Sequence, residues 1–299
     1  MHSRFRPDHQ LTARMALTVF LLGLVYVAFI AALVVLIEQV VVIVAIVGAL
    51  LWAQFWFSDR IALYAMHGRI VTPEQEPRLH GVVDRLCATA NMPKPQVAIA
   101  DIELPNAFAT GRSPRRAVVC VTTGLLRRLD PEELDGVLAH ELSHIAHRDV
   151  VVMTTASFLG VLAGLVARFT MYSTMFGGRD RRGDNLFLVV LLVMAVSAAV
   201  YALSYLLIRA LSRYRELAAD RAGAALTGHP SALAAALTKI SGDISRIPSR
   251  DLRAQQAFNA FFVVPALGAG ASLSTLLSTH PSLETRLDQL ARLTSELEA

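Results

Sequence analysis

The stretch His140-Glu141-Leu142-Ser143-His144 lies near the middle of the chain, and the rest of the sequence is best interpreted around it. If the stretch is helical, its two histidines fall one turn apart on the same face, so that both imidazoles can bind one divalent metal ion. Glu141 is then their neighbour, about 100° further round the helix. The stretch therefore predicts a metal site with an acid beside it.

The residues before this stretch predict the helix that it needs. Asp130 is a plausible N-cap, Pro131 suits the first helical position, and Glu133 completes a capping-box pattern three residues after the cap. Apolar residues then recur at helical spacing and predict a buried side: Leu134, Leu138, Leu142 and Ile145.

A catalytic zinc usually takes three protein ligands and keeps one position for water, so a third ligand is needed. His147 shares the face of His140, but about 10.5 Å of helix separates them, too far for both to bind one ion. We expect His147 to be a surface or supporting residue. Glu216 and Asp220, one turn apart on a later helix, can supply one metal ligand and one acid that hydrogen-bonds a ligand histidine. The alternative is that both belong to a solvated charged face, and the pattern alone does not decide.

The composition places the chain among membrane proteins, because 54% of its residues are hydrophobic. The net charge of +4 is modest, and the arginines flank apolar segments, which favours anionic lipid head groups over nucleic acid as a partner. Cys87 and Cys120 have no metal-ligand spacing. We interpret both as reduced cysteines without a role in the site.

Two apolar runs, at residues 15–37 and 40–57, are each long enough to be considered as membrane spans and predict a transmembrane hairpin over 15–58. Arginines precede the first run and follow the second, and the turn between them has no positive charge. The positive-inside rule therefore predicts a cytoplasmic tail at 1–14 and a cytoplasmic segment after the hairpin.

The following segment, residues 59–149, reads as the first part of a folded cytoplasmic domain. Residues 76–90 have helical character, and three β-rich runs separated by turn residues come next, at 96–100, 106–110 and 117–122. We predict a small antiparallel sheet followed by the histidine helix.

A second hydrophobic hairpin is predicted over residues 150–208, from apolar runs at 150–167 and 186–208. The arginine-rich loop between these runs would lie outside the cell, which the positive-inside rule disfavours. The alternative is a pair of helices that is buried or only partly inserted. Residues 209–299 form the second part of the cytoplasmic domain and close with an amphipathic helix.

Four motifs in this order resemble the HtpX family of membrane-bound zinc endopeptidases, which are relatives of the CAAX prenyl proteases. They are Asn106-Ala107-Phe108-Ala109, the His140 to His144 stretch, Glu216-x-x-x-Asp220 and Thr279-His280-Pro281. The match extends over roughly residues 70–290 and includes the two-hairpin layout. The resemblance implies a mainly α integral membrane protein with a small antiparallel β-sheet, in which a cytoplasmic zincin-like catalytic domain accompanies the transmembrane hairpins.

The resemblance also implies the chemistry of the site. One zinc ion would be bound by His140, His144 and Glu216, and Glu141 would be the catalytic base. Bound zinc would polarise the scissile carbonyl and make its water more acidic, and Glu141 would take the proton from that water and later pass it to the leaving amine. His280 is a candidate for stabilising the oxyanion or for gating the metal, and a purely structural role is also open.

The segment Asn106 to Ala109 resembles the strand at which the family binds its substrate. An extended peptide could add to that edge through backbone hydrogen bonds. The alternative is an ordinary core strand anchored by Phe108.

The resemblance implies proteolysis of misfolded or damaged membrane proteins at the cytoplasmic face of the cell membrane. Because the ligand helices adjoin apolar runs, we expect the metal just above the membrane surface and cleavage in loops and tails near the bilayer. The expected partners are unfolded or damaged membrane proteins and the lipid bilayer, with no nucleic acid; the oligomeric state is left open. Two rivals are an inactive multipass scaffold with a structural metal and a transporter, although the apolar runs have almost none of the charges that a transporter needs.

Overall fold

The computed structural model of the chain describes residues 8–36, 66–111, 113–149, 184–246 and 281–298, with isolated positions between 45 and 64. These parts are mainly helical. The described helices are α1 (His9–Leu36), α2 (Pro77–Ala90), α3 (Thr123–Arg128), α4 (Pro131–His147), α5 (Asp184–Thr227), α6 (Pro230–Arg246) and α7 (Leu283–Glu298). The strands are β1 (Gly68–Ile70), β2 (Gln96–Ala100), β3 (Ala107–Thr110) and β4 (Val118–Thr122), and a 3₁₀ turn spans Pro114–Arg116.

The chain divides into two compact units. The described parts of 1–11, 57–151 and 212–299 form the first unit, and those of 12–56 and 152–211 form the second. Helix α5 continues without a break from its apolar first half in the second unit to Thr227 in the first.

The described residues of the second unit are mainly apolar and helical. In the described part of the chain, two helical stretches are long and apolar enough to cross a membrane, His9–Ala31 and Leu191–Thr227. Large apolar side chains such as Phe20, Val27 and Leu206 are exposed by 55% or more. The runs predicted at 40–57 and 150–167 lie outside the residues for which a continuous structure is described.

The first unit contains a four-stranded sheet in the order β1-β2-β4-β3. Strand β1 pairs antiparallel with β2, and β3 pairs antiparallel with β4, but β2 and β4 are parallel, with Val97 opposite Val119. The prediction of an antiparallel sheet was therefore wrong, although three of the strands lie where they were expected. Strand β4 inserts between β2 and β3 because β2 and β4 are the most apolar strands, and strands covered on both faces take the centre of a sheet.

One hydrophobic core joins the sheet to α2, α4, α6 and α7 of the first unit. Helix α4 contributes the fully buried Val137, Leu138 and Leu142, which are repeated at helical spacing. Gly136 lets α6 approach closely, since an added Cβ would lie 3.1 Å from the Cα of Leu233. This packing holds α4, and with it both histidines, in the interior.

Candidate metal centre

Helix α4 carries the two predicted histidine ligands, and the sequence of its first turn explains where it begins. Asp130 is the N-cap and forms a reciprocal capping box with Glu133, whose carboxylate accepts the backbone N–H of Asp130 at 2.9 Å. Pro131 follows in the first turn. Lys239 of α6 donates to both acids at 2.8 Å. These contacts fix the start of α4 against α6.

The imidazoles of His140 and His144 converge on the carboxylate of Glu216 from α5. The two Nε2 atoms are 3.3 Å apart. Oε2 of Glu216 is 3.6 Å from Nε2 of His140, and Oε1 is 3.6 Å from Nε2 of His144. The three side chains are buried, with 1% to 5% of each exposed. The structure therefore brings together three donor groups from two helices that are far apart in the sequence.

This triangle has the dimensions of a metal site. Tetrahedral bonds of about 2.0–2.1 Å place neighbouring ligand atoms roughly 3.3 Å apart, close to the three distances above. Neutral imidazole and carboxylate are also ligands that suit zinc. Because all the donor atoms of the trio lie within 4.8 Å of one another, they could bind one ion together.

Glu141 is buried beside His140 on α4. Burial raises the pKa of its carboxyl above the ordinary 4.5, and the charge of Glu216 acts in the same direction, while both imidazoles and Arg215 oppose the shift. A carboxyl with a raised pKa is suited to accept and return a proton near neutral pH.

Asp220 contacts the ring nitrogen of His140 that is not part of the donor triangle, Nδ1. Its Oδ1 lies 2.9 Å from Nδ1 of His140, leaving Nε2 directed at the donor triangle. Arg286 of α7 holds the same carboxylate with two hydrogen bonds, from Nε at 2.7 Å and from Nη2 at 2.6 Å. Helix α7 is thus connected to the donor triangle through Asp220.

His144 has a similar support, which was not predicted from the sequence. Its Nδ1 lies 2.8 Å from Oδ2 of the buried Asp149. Arg215 lies 3.4 Å from that oxygen through Nε, and its Nη2 donates to Oε1 of Glu216 at 3.1 Å. The sequence gives only weak signals for the roles of these two residues, because Asp149 merely follows the histidine helix and Arg215 merely precedes Glu216.

The charges around the triangle match a divalent ion. Four carboxylates face two guanidiniums, and with both imidazoles neutral the surplus is two negative charges: Glu141, Asp149, Glu216 and Asp220 against Arg215 and Arg286. Uncompensated charge is costly in a protein interior. A dication at the triangle would balance the cluster.

The other residues predicted from the sequence are not members of the donor triangle in the described structure. His147 is half-buried, and its Nδ1 donates to the carbonyl oxygen of Ser143 at 2.9 Å, so it belongs to the helix rather than the triangle. The substrate segment Asn106, Ala107, Phe108, Ala109 includes the start of β3, an end strand of the described sheet that packs against α4. His280 lies outside the described residues.

Neither cysteine takes part in the donor triangle. Cys87 and Cys120 are free thiols, and burial raises their pKa to about 11 and about 12. Such thiols are poor nucleophiles and metal ligands.

The chain is similar to known peptidases over most of its length. The profile of peptidase family M48 matches residues 73–294. Protease HtpX homolog 1 of Streptomyces coelicolor is 66% identical over 99% of this chain and 97% of its own. The Protease HtpX homolog of Moorella thermoacetica is 50% identical over 100% of this chain and 99% of its own.

A solved structure has a similar fold. The crystal structure of S. mikatae Ste24p matches 94% of this chain with a TM-score of 0.52 at 18% sequence identity, and the match covers 66% of that chain. The family match and the two close relatives cover the histidine stretch and the segment of Glu216. The chain therefore belongs to peptidase family M48 and is a metalloprotease of the HtpX type.

Proposed function

We propose that this metalloprotease is a membrane-bound zinc endopeptidase that cleaves misfolded or damaged membrane proteins at the cytoplasmic face. The observation that carries the proposal is the buried triangle of His140, His144 and Glu216, with distances of 3.3, 3.6 and 3.6 Å and with Glu141 beside it. In this proposal the three residues bind one zinc ion, and Glu141 is the general base.

The number of donor groups at the site favours a catalytic over a structural metal. Structural zinc sites are usually closed by four protein ligands, whereas catalytic sites have three and keep a position for water. Among the described residues, the donor group has three members. When bound, zinc supplies a Lewis acid that polarises a carbonyl and makes water more acidic.

The protein's own residues provide the remaining steps. Glu141 accepts a proton from the attacking water, and the same carboxyl delivers that proton to the leaving amine. The carboxylate of Asp220, 2.9 Å from Nδ1 of His140, favours a proton on that nitrogen by its charge, so that Nε2 stays available as a ligand. No serine or cysteine nucleophile is needed. His280 is proposed to donate to the oxyanion or to gate the site.

Strand β3 is proposed to bind the substrate. It is an end strand of the described sheet and packs against α4, so an extended peptide added to it would run beside the donor triangle. Pairing through the backbone selects unfolded segments with little dependence on sequence.

The membrane location is supported by the two apolar helices. In each helix only 17% of the most apolar stretch is buried, whereas the core helix of a soluble protein would be mostly buried. The arginines that flank residues 15–57 favour a cytoplasmic location for the catalytic unit.

Substrates are proposed to be cut close to the bilayer. Glu216 lies on the same continuous helix as the apolar residues from Leu191 onward, so the ligand is part of an element that also qualifies as a membrane span. Efficient degradation of a soluble unfolded protein by detergent-free membranes, with no preference for tethered substrates, would contradict this.

The rival is an inactive scaffold with a structural metal. The deciding experiment is to purify the wild type and Glu141→Gln in detergent and to measure bound zinc and cleavage of an unfolded substrate. We expect equal zinc content and loss of cleavage only in Glu141→Gln. Equal cleavage by both proteins would refute the role of Glu141, and absence of cleavage in both would favour the scaffold.

A further inference from the structure

The end of α4 places the carboxylate of Asp149 beside Nδ1 of His144. The helix ends at His147, and Arg148 adopts the left-handed conformation, with a φ of 57°. That conformation is uncommon for a residue with a Cβ and disfavoured relative to helix. The chain therefore turns sharply just before Asp149, whose side chain is buried and lies 2.8 Å from Nδ1 of His144.

Arg215 joins this acid to the ligand on the other helix. Its guanidinium makes an ion pair with Oδ2 of Asp149 at 3.4 Å and a hydrogen bond to Oε1 of Glu216 at 3.1 Å. The Arg215 side chain is 13% exposed and that of Asp149 is 2% exposed, so water screens these contacts weakly.

The contacts form a closed ring. His144 contacts Asp149, Asp149 contacts Arg215, Arg215 contacts Glu216, and Glu216 returns to His144 across the 3.6 Å donor distance. The support of His140 is built differently, because Asp220 and Arg286 form a branch that leads away to α7. Each ligand histidine is thus held by its own acid and arginine.

We propose that Asp149 and Arg215 are positioning residues of the metal centre. Asp149 accepts a hydrogen bond from Nδ1–H of His144, which keeps the proton on Nδ1 and leaves the lone pair of Nε2 for the metal. Arg215 holds Asp149 and the carboxylate of Glu216 in register with each other. This inference rests on the proposed metal-binding role of His140, His144 and Glu216.

A purely structural pair would have a different signature. It would change the free energy of unfolding without changing how the folded protein binds metal. A positioning pair changes the metal affinity of the folded protein and the ligand field at the metal. Binding must therefore be measured directly on the full-length protein in detergent.

The first test compares Asp149→Asn with Asp135→Asn. Asp135 is the matched control, because it lies on α4 and pairs with an arginine, Arg85 at 2.8 Å, outside the metal cluster. We expect Asp149→Asn to lose about 10- to 100-fold in Zn²⁺ affinity, measured by competition with a chelator, and to shift the visible absorption bands of bound Co²⁺. Asp135→Asn should match the wild type.

The second test uses Arg215→Met, with Arg221→Met on the same helix as its control; Arg221 pairs with Asp8 at 3.1 Å. Loss of a nearby positive charge removes a Coulomb repulsion, which alone would strengthen cation binding. A positioning role predicts the opposite sign, a weaker Zn²⁺ affinity in Arg215→Met only. Because the two residues act in one chain of contacts, the double variant should lose less than the product of the two single losses.

Three outcomes would overturn the proposal, and one would support it. Asp149→Asn with the affinity and Co²⁺ spectrum of the wild type would overturn the proposal, as would Arg215→Met that binds Zn²⁺ as tightly as the wild type or more tightly. The unfolding midpoint of each metal-free variant shows whether it is folded, and a folded variant with weak binding supports the proposal. A wild type that binds no Zn²⁺ would overturn the proposed function and this inference together, and it is detected before any variant is made.

Discussion

Gly223 of α5 lies directly against the backbone of His140 on α4: a Cβ added at Gly223 would be 2.9 Å from the nitrogen of His140 and 3.1 Å from its Cα. Real Cβ atoms do not approach a backbone so closely, so only glycine allows the two helices to pack at this distance. Gly223 lies two turns after Glu216 and one turn after Asp220, which both reach His140. The close approach therefore sets the position of both acids.

Substitution of Gly223 by alanine should separate the ligand helices. We expect Gly223→Ala to lower the unfolding free energy by about 1–3 kcal/mol, as overpacking does, and to weaken Zn²⁺ binding. The control is Gly81→Ala on α2, where nothing lies within 4 Å of an added Cβ. There the better helix propensity of alanine should stabilise the protein by about 0.5–1 kcal/mol. Wild-type stability and Zn²⁺ affinity in Gly223→Ala would show that α5 is not packed as described.

Arg286 should be needed for stability as well as for the site. Its side chain is 2% exposed, and removal would leave the buried carboxylate of Asp220 without the two hydrogen bonds that Arg286 donates. Breaking a buried ion pair costs about 3–5 kcal/mol, so Arg286→Met should lower the denaturation midpoint markedly. Arg292→Met, at an exposed position of the same helix, should change the unfolding free energy by less than about 0.5 kcal/mol. Similar midpoints for both variants would argue against this interpretation.

The local features of the site could be predicted from the sequence because their signals are local. The cap at Asp130, the capping box with Glu133 and the spacing of His140 and His144 depend on neighbours within two turns. The resemblance then placed Glu216 in the ligand set, and the structure places its carboxylate beside both imidazoles.

The remaining features depend on long-range packing. The parallel pairing of β2 with β4 was missed because each strand is a short apolar run, and such runs do not signal their direction. Asp149 reaches His144 only through the left-handed Arg148, which has no sequence signature. Arg286 did leave a signal, since it shares a helix face with Leu290 in the core, and a charge on an apolar face indicates a buried partner.

The proposed substrate strand can be tested through one backbone N–H. The N–H of Thr122 donates to the carbonyl of Asn106, so Asn106 and Thr122 form a hydrogen-bonded pair of the antiparallel ladder. Hydrogen-bonded and non-hydrogen-bonded pairs alternate along such a ladder, and Ala109 with Val119 is a non-hydrogen-bonded pair. The N–H and C=O of Ala109 therefore point away from β4. Ala109→Pro removes that N–H and leaves the pairing with β4 intact. We expect kcat/KM for an unfolded protein to fall about 3- to 10-fold, the equivalent of one hydrogen bond, at unchanged Zn²⁺ affinity. Ala109→Ser, which keeps the N–H, is the control; equal rates for the two variants would exclude pairing at this position.

Metal binding should release a proton from His140. Burial alone would lower the pKa of His140, but the nearby carboxylates of Asp220 and Glu216 outweigh burial and raise this pKa from 6.5 to about 9 without a metal. A ligand imidazole must be neutral, so near pH 7.5 each bound Zn²⁺ should displace about one proton from this residue. Apparent Zn²⁺ affinity should therefore rise with pH until about 9. Calorimetry in buffers of different ionisation enthalpy measures the proton count.

The same shift predicts how the stability of the metal-free protein depends on pH. The folded pKa of His140 lies above its unfolded value, so the folded state binds more protons between pH 6.5 and about 9. The stability contributed by protonated His140 is complete below pH 6.5 and is lost as the pH rises through about 9. Asp220→Asn removes one carboxylate that raises this pKa and should reduce the pH dependence. If the Zn²⁺ affinity stays constant from pH 6.5 to 8.5, His140 is neutral before the metal binds. That result would contradict both the release of a proton on metal binding and this pH dependence of stability.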